Sequence, residues 1–232
     1  SNVIEAAKRA GDTSILCLSQ NQCKDGYESD PFVAIGTGTV QLDEHTAAYA
    51  AIANNGVAKP ETYVLKIEKS NGEIVQEWKD SAGTPVWGDA ARSQEISYML
   101  SDILSDDAAR APTFGRGSRL FNINGVKTAV KTGTTDNSKD GWMMGMSPQY
   151  AAGVWVGYHT RQRVMSGTME NMTQPIWQGW MNAAHDGITA FDRAKPAGLQ
   201  TLPAHPRHPQ HLRKLSHAVL LAWRRRAAVS TA

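Results

Sequence analysis

Cysteine is almost missing from these 232 residues: Cys17 and Cys23 are the only two. A pair of thiols makes no structural zinc site without further ligands close by, and this spacing is not that of a Cys-x-x-Cys redox pair. Two readings stay open for them, a local disulfide closing a short loop in an oxidising compartment or two unpaired thiols. Aromatic residues are scarce as well, at 7 %. No apolar run approaches the roughly 20 residues that span a bilayer; the longest candidate, Ala218 to Trp223, is far too short. No basic and apolar targeting segment precedes Val3, Ile4, Ala6 and Ala7, which already read as a helix. A membrane anchor or export address is therefore not expected within this chain.

Acidic residues are missing from one segment only. Residues 202–232 hold six basic side chains (Arg207, Arg213, Lys214, Arg224, Arg225, Arg226), four His and no acid. Without them, residues 1–201 carry 18 basic against 22 acidic side chains, a net charge of −4. That mildly acidic body gives no footing for nucleic acid. The chain is therefore expected to divide into a globular part, 1–201, and a basic Pro/His/Arg-rich tail, 202–232, which reads as disordered or out of frame. A basic tail of this kind has a second use, contact with phosphates or anionic lipid.

What is present reads as α+β, an antiparallel sheet flanked by helices. Asp43 is placed to cap a helix through Ala47, Ala48, Ala51 and Ile52, which Asn55-Gly56 stops. Tyr63, Leu65 and Ile67, the turn Ser70-Asn71-Gly72, then Ile74, Val75 and Trp78 spell a β-hairpin. Ser93 opens a helix whose residues Ile96, Met99, Leu100, Ile103 and Leu104 fall on one face, expected to be buried. A Gly-, Arg- and Pro-containing loop, Arg110 to Gly125, precedes three strand-like runs: Val126–Thr134, Gly141–Ser147 and Tyr150–Tyr158. Thr173 and Pro175 open a last helix with Trp177 and Trp180, both read as core. Trp142 and Trp155 fall on neighbouring strands and are expected to pack across the sheet. Asp140 reads as a cap or a local partner of Lys139 and the adjoining loop, ahead of a catalytic carboxylate. His45 and His159 have no ligand-spaced partners, so no metal is assigned, and no cofactor is implied.

The sharpest chemical feature is Lys131-Thr132-Gly133-Thr134 at the end of the first of these strands. Lys131 offers fixed positive charge, Thr132 and Thr134 offer hydroxyls, and Gly133 lets a ligand come close to the backbone. If the strand lies at a sheet edge, its N–H groups can pair with an extended peptide or polarise a carbonyl. A peptide-like ligand with a carboxylate suits that set. An ordinary exposed Lys-Thr pair is the plain alternative.

Lys-Thr-Gly is also one signature of serine penicillin-binding proteins and β-lactamases, beside Ser-x-x-Lys and Ser-x-Asn. The flanking text resembles the transpeptidase domain of class A, bifunctional penicillin-binding proteins. The similar runs are Pro31-Phe32-Val33-Ala34-Ile35-Gly36-Thr37-Gly38, Ala53 to Gly56, Ala129 to Thr135, Asp140-Gly141-Trp142 and Gly153-Val154-Trp155-Val156-Gly157. The resemblance covers roughly residues 2 to 201 and implies the C-terminal portion of that fold, incomplete. It departs from the family at one decisive place: no Ser-x-x-Lys occurs in the 232 residues. Ser19-Gln20-Asn21 matches Ser-x-Asn by letters, but it follows a helix that the family's motif precedes, and it reads as accidental.

The resemblance implies a fragment of a peptidoglycan cross-linking D,D-transpeptidase. Lys131, Thr132, Gly133 and Thr134 would bind substrate, while the catalytic Ser and Lys would lie outside the chain. The implied partners are the D-Ala-D-Ala end of a stem peptide, β-lactams and the missing N-terminal half of the domain. The implied location is the extracytoplasmic face of a bacterial membrane. Two other readings stand beside it, a fragment of a β-lactamase-like hydrolase and a non-catalytic peptide-binding module.

Overall fold

The computed structural model describes residues 2–15, 31–36, 38–115, 122–123, 125–135, 138–159, 165, 167, 169–189 and 191–201. Cys17 and Cys23, the Ser19-Gln20-Asn21 triplet and the basic tail lie outside the described residues.

Helix α1 (Asn2–Ala10) leads, and after a 3₁₀ turn at Pro31–Ile35 comes α2 (Leu42–Ala53). The N-cap of α2 is Gln41, without a side-chain cap; Asp43, expected to cap it, sits inside the first turn. There its carboxylate still favours the positive end of the helix dipole. Short strands β1 (Val57–Ala58) and β4 (Thr84–Pro85) pair antiparallel and enclose the hairpin β2 (Lys66–Glu68) and β3 (Ile74–Glu77). The hairpin forms where its Asn-Gly turn placed it. Every residue of both strands is exposed, Ile67, Ile74 and Val75 included.

Helix α3 (Ala90–Leu104) starts at the cap Asp89, whose carboxylate accepts from the Arg92 N–H, one turn before the expected Ser93. Its buried face differs from the expected one as well. Ser93, Ser97 and Ser101 are buried, while Ile103 is exposed and Ile96, Met99, Leu100 and Leu104 are only half-buried. The cause is a close approach. Gly56, at φ +77°, lies so near α3 that a Cβ there would stand 2.5 Å from the Ser93 carbonyl oxygen. Only small side chains fit such a contact.

The segment expected to be a loop from Arg110 onward begins inside a helix, α4 (Asp107–Phe114). Asp106 caps it by accepting from the N–H groups of Ala108 and Ala109, and Pro112 is accommodated within it. A two-residue pair, β5 (Asn122–Ile123) with β6 (Val126–Lys127), then leads to the main sheet. That sheet has the order β7-β8-β9, formed by Ala129–Thr134, Asp140–Met146 and Ala151–Gly157. Both pairings are antiparallel, and Trp142 stands opposite Trp155, as expected. Helix α5 (Met169–Ala184) closes the domain; it starts before Thr173, and Pro175 lies within it.

The central strand β8 is buried along almost its whole length because it is covered on both faces. Trp142 and Met144 turn to α2, through His45, Thr46 and Leu42. Met143 turns to α5, in a core of Ile123, Val130, Met143, Trp177 and Met181. Trp177 is fully buried, whereas Trp180, expected in the core with it, is 49 % exposed on the outer face of α5. A second core joins Ala10, Ala48, Ala51 and Val86. Helices packed against an antiparallel sheet make this an α+β fold, as the sequence implies.

Candidate functional site

Strand β7 is an edge of its sheet, since only β8 borders it among the described residues. In an antiparallel ladder, alternate residues turn both backbone groups to the partner strand and the residues between turn theirs away. The Thr135 N–H donates to the Asp140 carbonyl at 3.2 Å, so Thr135 faces β8. Counting back, Gly133, Lys131 and Ala129 face β8 as well. Thr134, Thr132 and Val130 therefore present their N–H and C=O groups to the outer edge. Two observations agree with this polarity. The Val130 carbonyl accepts from Arg110 Nη2 at 2.8 Å, and the Thr132 carbonyl accepts from Lys131 Nζ at 2.6 Å.

The structure thus brings Lys131, Thr132, Gly133 and Thr134 together along one open edge. Lys131 and Thr134 are exposed, Thr132 and Gly133 half-buried. Gly133 lies opposite Trp142, and a Cβ at that position would come within 3.3 Å of the Trp142 Cβ. The missing side chain lets the tryptophan lie across the strand. An edge with two outward N–H groups beside an ammonium can hold a carboxylate and polarise a neighbouring carbonyl.

Behind Trp142 stands a polar group that motif reasoning missed. His45 on α2 donates from Nδ1 to Asp12 Oδ2 at 2.7 Å, and its ring meets Trp142 edge-on at 6.1 Å. Asp12 is 5 % exposed, and its other oxygen, Oδ1, has no partner among the described residues. Tyr49 meets the same imidazole edge-on at 5.4 Å. Burial, then the Asp12 charge, push the Tyr49 phenol up to about 12. A raised phenol favours the folded state fully below the unfolded value of about 10, and the advantage is lost as pH climbs to about 12. Wild-type protein is therefore expected to lose roughly 2 kcal/mol more than Tyr49→Phe across that window, read by urea denaturation at each pH. Equal losses in both proteins would contradict it.

Asp140 is 2 % exposed and serves as a local partner. It accepts from the Thr135 hydroxyl and, at 3.2 Å, from Trp155 Nε1, so it ties the β7–β8 turn to β9. At the opposite end of the sheet a Ser–His pair invites a catalytic reading and does not sustain it. His185 donates from Nδ1 to the Met181 carbonyl at 2.7 Å and accepts at Nε2 from the Ser147 hydroxyl, 2.9 Å away. Ser147 also accepts from the N–H groups of Gln149 and Tyr150, and both side chains of the pair are at most 2 % exposed. The pair holds the β8–β9 turn on α5. No group of three or more His, Cys, Asp or Glu side chains able to hold a metal occurs among the described residues. Nor, among them, is any helix long and apolar enough to cross a membrane.

Comparison with known proteins places the chain in a family. The penicillin-binding protein transpeptidase domain matches residues 22–177. Penicillin-binding protein 1A of Aquifex aeolicus is 30 % identical over 156 residues, 65 % of this chain and 20 % of that protein. Penicillin-binding protein 1A of Mycobacterium tuberculosis is 28 % identical over 209 residues, 84 % of this chain and 24 % of that one. The chain therefore spans about a fifth to a quarter of the length of these relatives. Among solved structures, the penicillin-binding protein PonA1 of M. tuberculosis superposes with a TM-score of 0.68 at 23 % identity. The match covers 84 % of this chain and 52 % of that one. Penicillin-binding protein 1A of Haemophilus influenzae gives 0.62 at 16 % identity over 88 % of this chain and 36 % of that one. These two share the fold. With a family match over most of its length and class A relatives, the chain belongs to the penicillin-binding protein transpeptidase domain family.

Proposed function

We propose that residues 1–201 are the C-terminal part of a peptidoglycan D,D-transpeptidase domain and that β7 is its substrate-binding strand, with 202–232 lying outside the domain. The observation that carries this reading is the open outer edge of β7, with Thr132 and Thr134 turned to it beside Lys131. Lys131 attracts the terminal carboxylate of a D-Ala-D-Ala stem peptide, moving from the Thr132 carbonyl to the ligand. The hydroxyls of Thr132 and Thr134 donate to the same carboxylate. The Thr134 N–H is one of two donors to the oxygen of the scissile carbonyl, and such a donor is worth ~2.7–4 kcal/mol in the transition state.

The covalent step needs a Ser and a Lys that these 232 residues do not carry as Ser-x-x-Lys. In the whole protein that Ser attacks the penultimate D-Ala carbonyl while its proton passes to the Lys amine. The C–N bond then breaks, the terminal D-Ala takes the proton and leaves, and an acyl-enzyme remains. An amine from a second stem peptide attacks the ester, forms the cross-link amide and returns the proton to Ser. β-Lactams enter by the same edge. This chemistry belongs on the extracytoplasmic side of a bacterial membrane, where peptidoglycan is built.

The test is a titration of the chain with an N-acetylated peptide ending in D-Ala-D-Ala, followed through the Thr132 and Thr134 amide resonances. Both are expected to shift saturably. Lys131→Ala is expected to weaken binding at least about tenfold, the worth of one charge-assisted hydrogen bond. Unchanged affinity in Lys131→Ala, or shifts elsewhere only, would overturn the assignment.

A further inference from the structure

Arg110 touches the substrate-binding strand without belonging to its motif. From α4, its Nη2 donates to the Leu104 carbonyl at 2.5 Å and to the Val130 carbonyl at 2.8 Å. Leu104 is the last residue of α3, and Val130 directly precedes Lys131. The ladder polarity puts the Val130 carbonyl on the outer edge, next to the Thr132 N–H. A bare carbonyl there would have two effects. It would accept an N–H from a peptide strand that continued past Thr132, extending the pairing. It would also repel a carboxylate brought alongside Thr132, since both carry lone pairs and partial negative charge. The guanidinium reverses both effects: it takes up the acceptor and brings positive charge, partly offset by Asp106 and Asp107 beside it, to that end of the edge.

Resting on the reading of β7 as the substrate strand, we infer that Arg110, by occupying the Val130 carbonyl, makes this edge select a peptide's carboxylate end over an internal stretch of peptide. Arg110 is a positioning residue. It sets where pairing along β7 must stop, and the substrate it favours ends in a free carboxylate one residue beyond the bond to be broken. A guanidinium that merely stapled α3 to β7 would affect every ligand alike.

The test compares three probes: an N-acetylated peptide ending in D-Ala-D-Ala, its C-terminal amide, and the same peptide extended by Gly. Each is titrated against the wild-type chain, Arg110→Gln, Arg110→Lys and Lys131→Ala. Wild type is expected to prefer the free carboxylate by at least about tenfold. Arg110→Gln is expected to reduce that preference by about tenfold, with binding of the amide and the extended peptide unchanged or improved. Arg110→Lys keeps the charge but loses the planar fork, and its preference is expected to fall by about threefold. Should Arg110→Gln fail to fold, the Lys variant decides alone. A preference at the wild-type value, or equal weakening of all three probes, overturns the inference while leaving the strand assignment standing. A wild-type chain without preference, insensitive to Lys131→Ala, overturns both.

Discussion

Trp177→Ala is expected to cost about 3–5 kcal/mol of folding stability, the range for emptying a buried aromatic site. Trp177 is completely buried among Ile123, Val130, Met143 and Met181, so its removal leaves a cavity between α5 and the sheet. It also removes a hydrogen bond: Trp177 Nε1 donates to the Ala152 carbonyl at 3.0 Å. Domains have only about 5–15 kcal/mol in total, so the variant stands near unfolding at room temperature. Trp180, three residues on and half-exposed, provides the contrast: Trp180→Ala is expected to cost under about 1 kcal/mol. Urea denaturation of the two variants checks both numbers together. Similar midpoints would mean that α5 does not pack on the sheet by this face. Because Val130 belongs to the same core and adjoins Lys131, damage at Trp177 is expected to loosen the outer edge of β7 too.

The sheet and hairpin were legible because their signals are local. Alternation and an Asn-Gly turn need no knowledge of the rest of the chain. The face of α3 was not legible. Its 3.6-residue period offers an apolar stripe and a serine stripe, and the neighbour decides between them: Gly56 approaches so closely that Ser93 and Ser97 fit and Leu100 would not. Helix α4 hid behind Pro112 and the glycines after it, although Asp106 gives it a sound cap. The same distinction runs through the site. Lys131 to Thr134 stand out as a candidate because a Lys-Thr-Gly triplet and an edge strand coincide in one short stretch. Arg110 could not, since its partner Val130 lies 20 residues away and no spacing rule connects them. Asp12 and His45, 33 residues apart, were equally out of reach.

The second large effect concerns covalent chemistry. A β-lactam is captured when a Ser hydroxyl attacks its carbonyl with a base in hydrogen-bond reach. No Ser in this chain has a Lys three residues on, and among the described residues the one close Ser–His pair, Ser147 with His185, is shut inside the fold. On the proposed reading, the edge of β7 still holds the β-lactam carboxylate reversibly through Lys131. Residues 1–232 alone are therefore expected to bind a fluorescent penicillin weakly and never to bond to it, a rate loss beyond the ~2.7–4 kcal/mol of any single oxyanion donor. One sample answers the question when its fluorescence is read before and after denaturation. The account predicts bound label in the folded protein, reduced in Lys131→Ala, and none on the chain once denatured. Label that survives denaturation would contradict it and would require a nucleophile among these 232 residues.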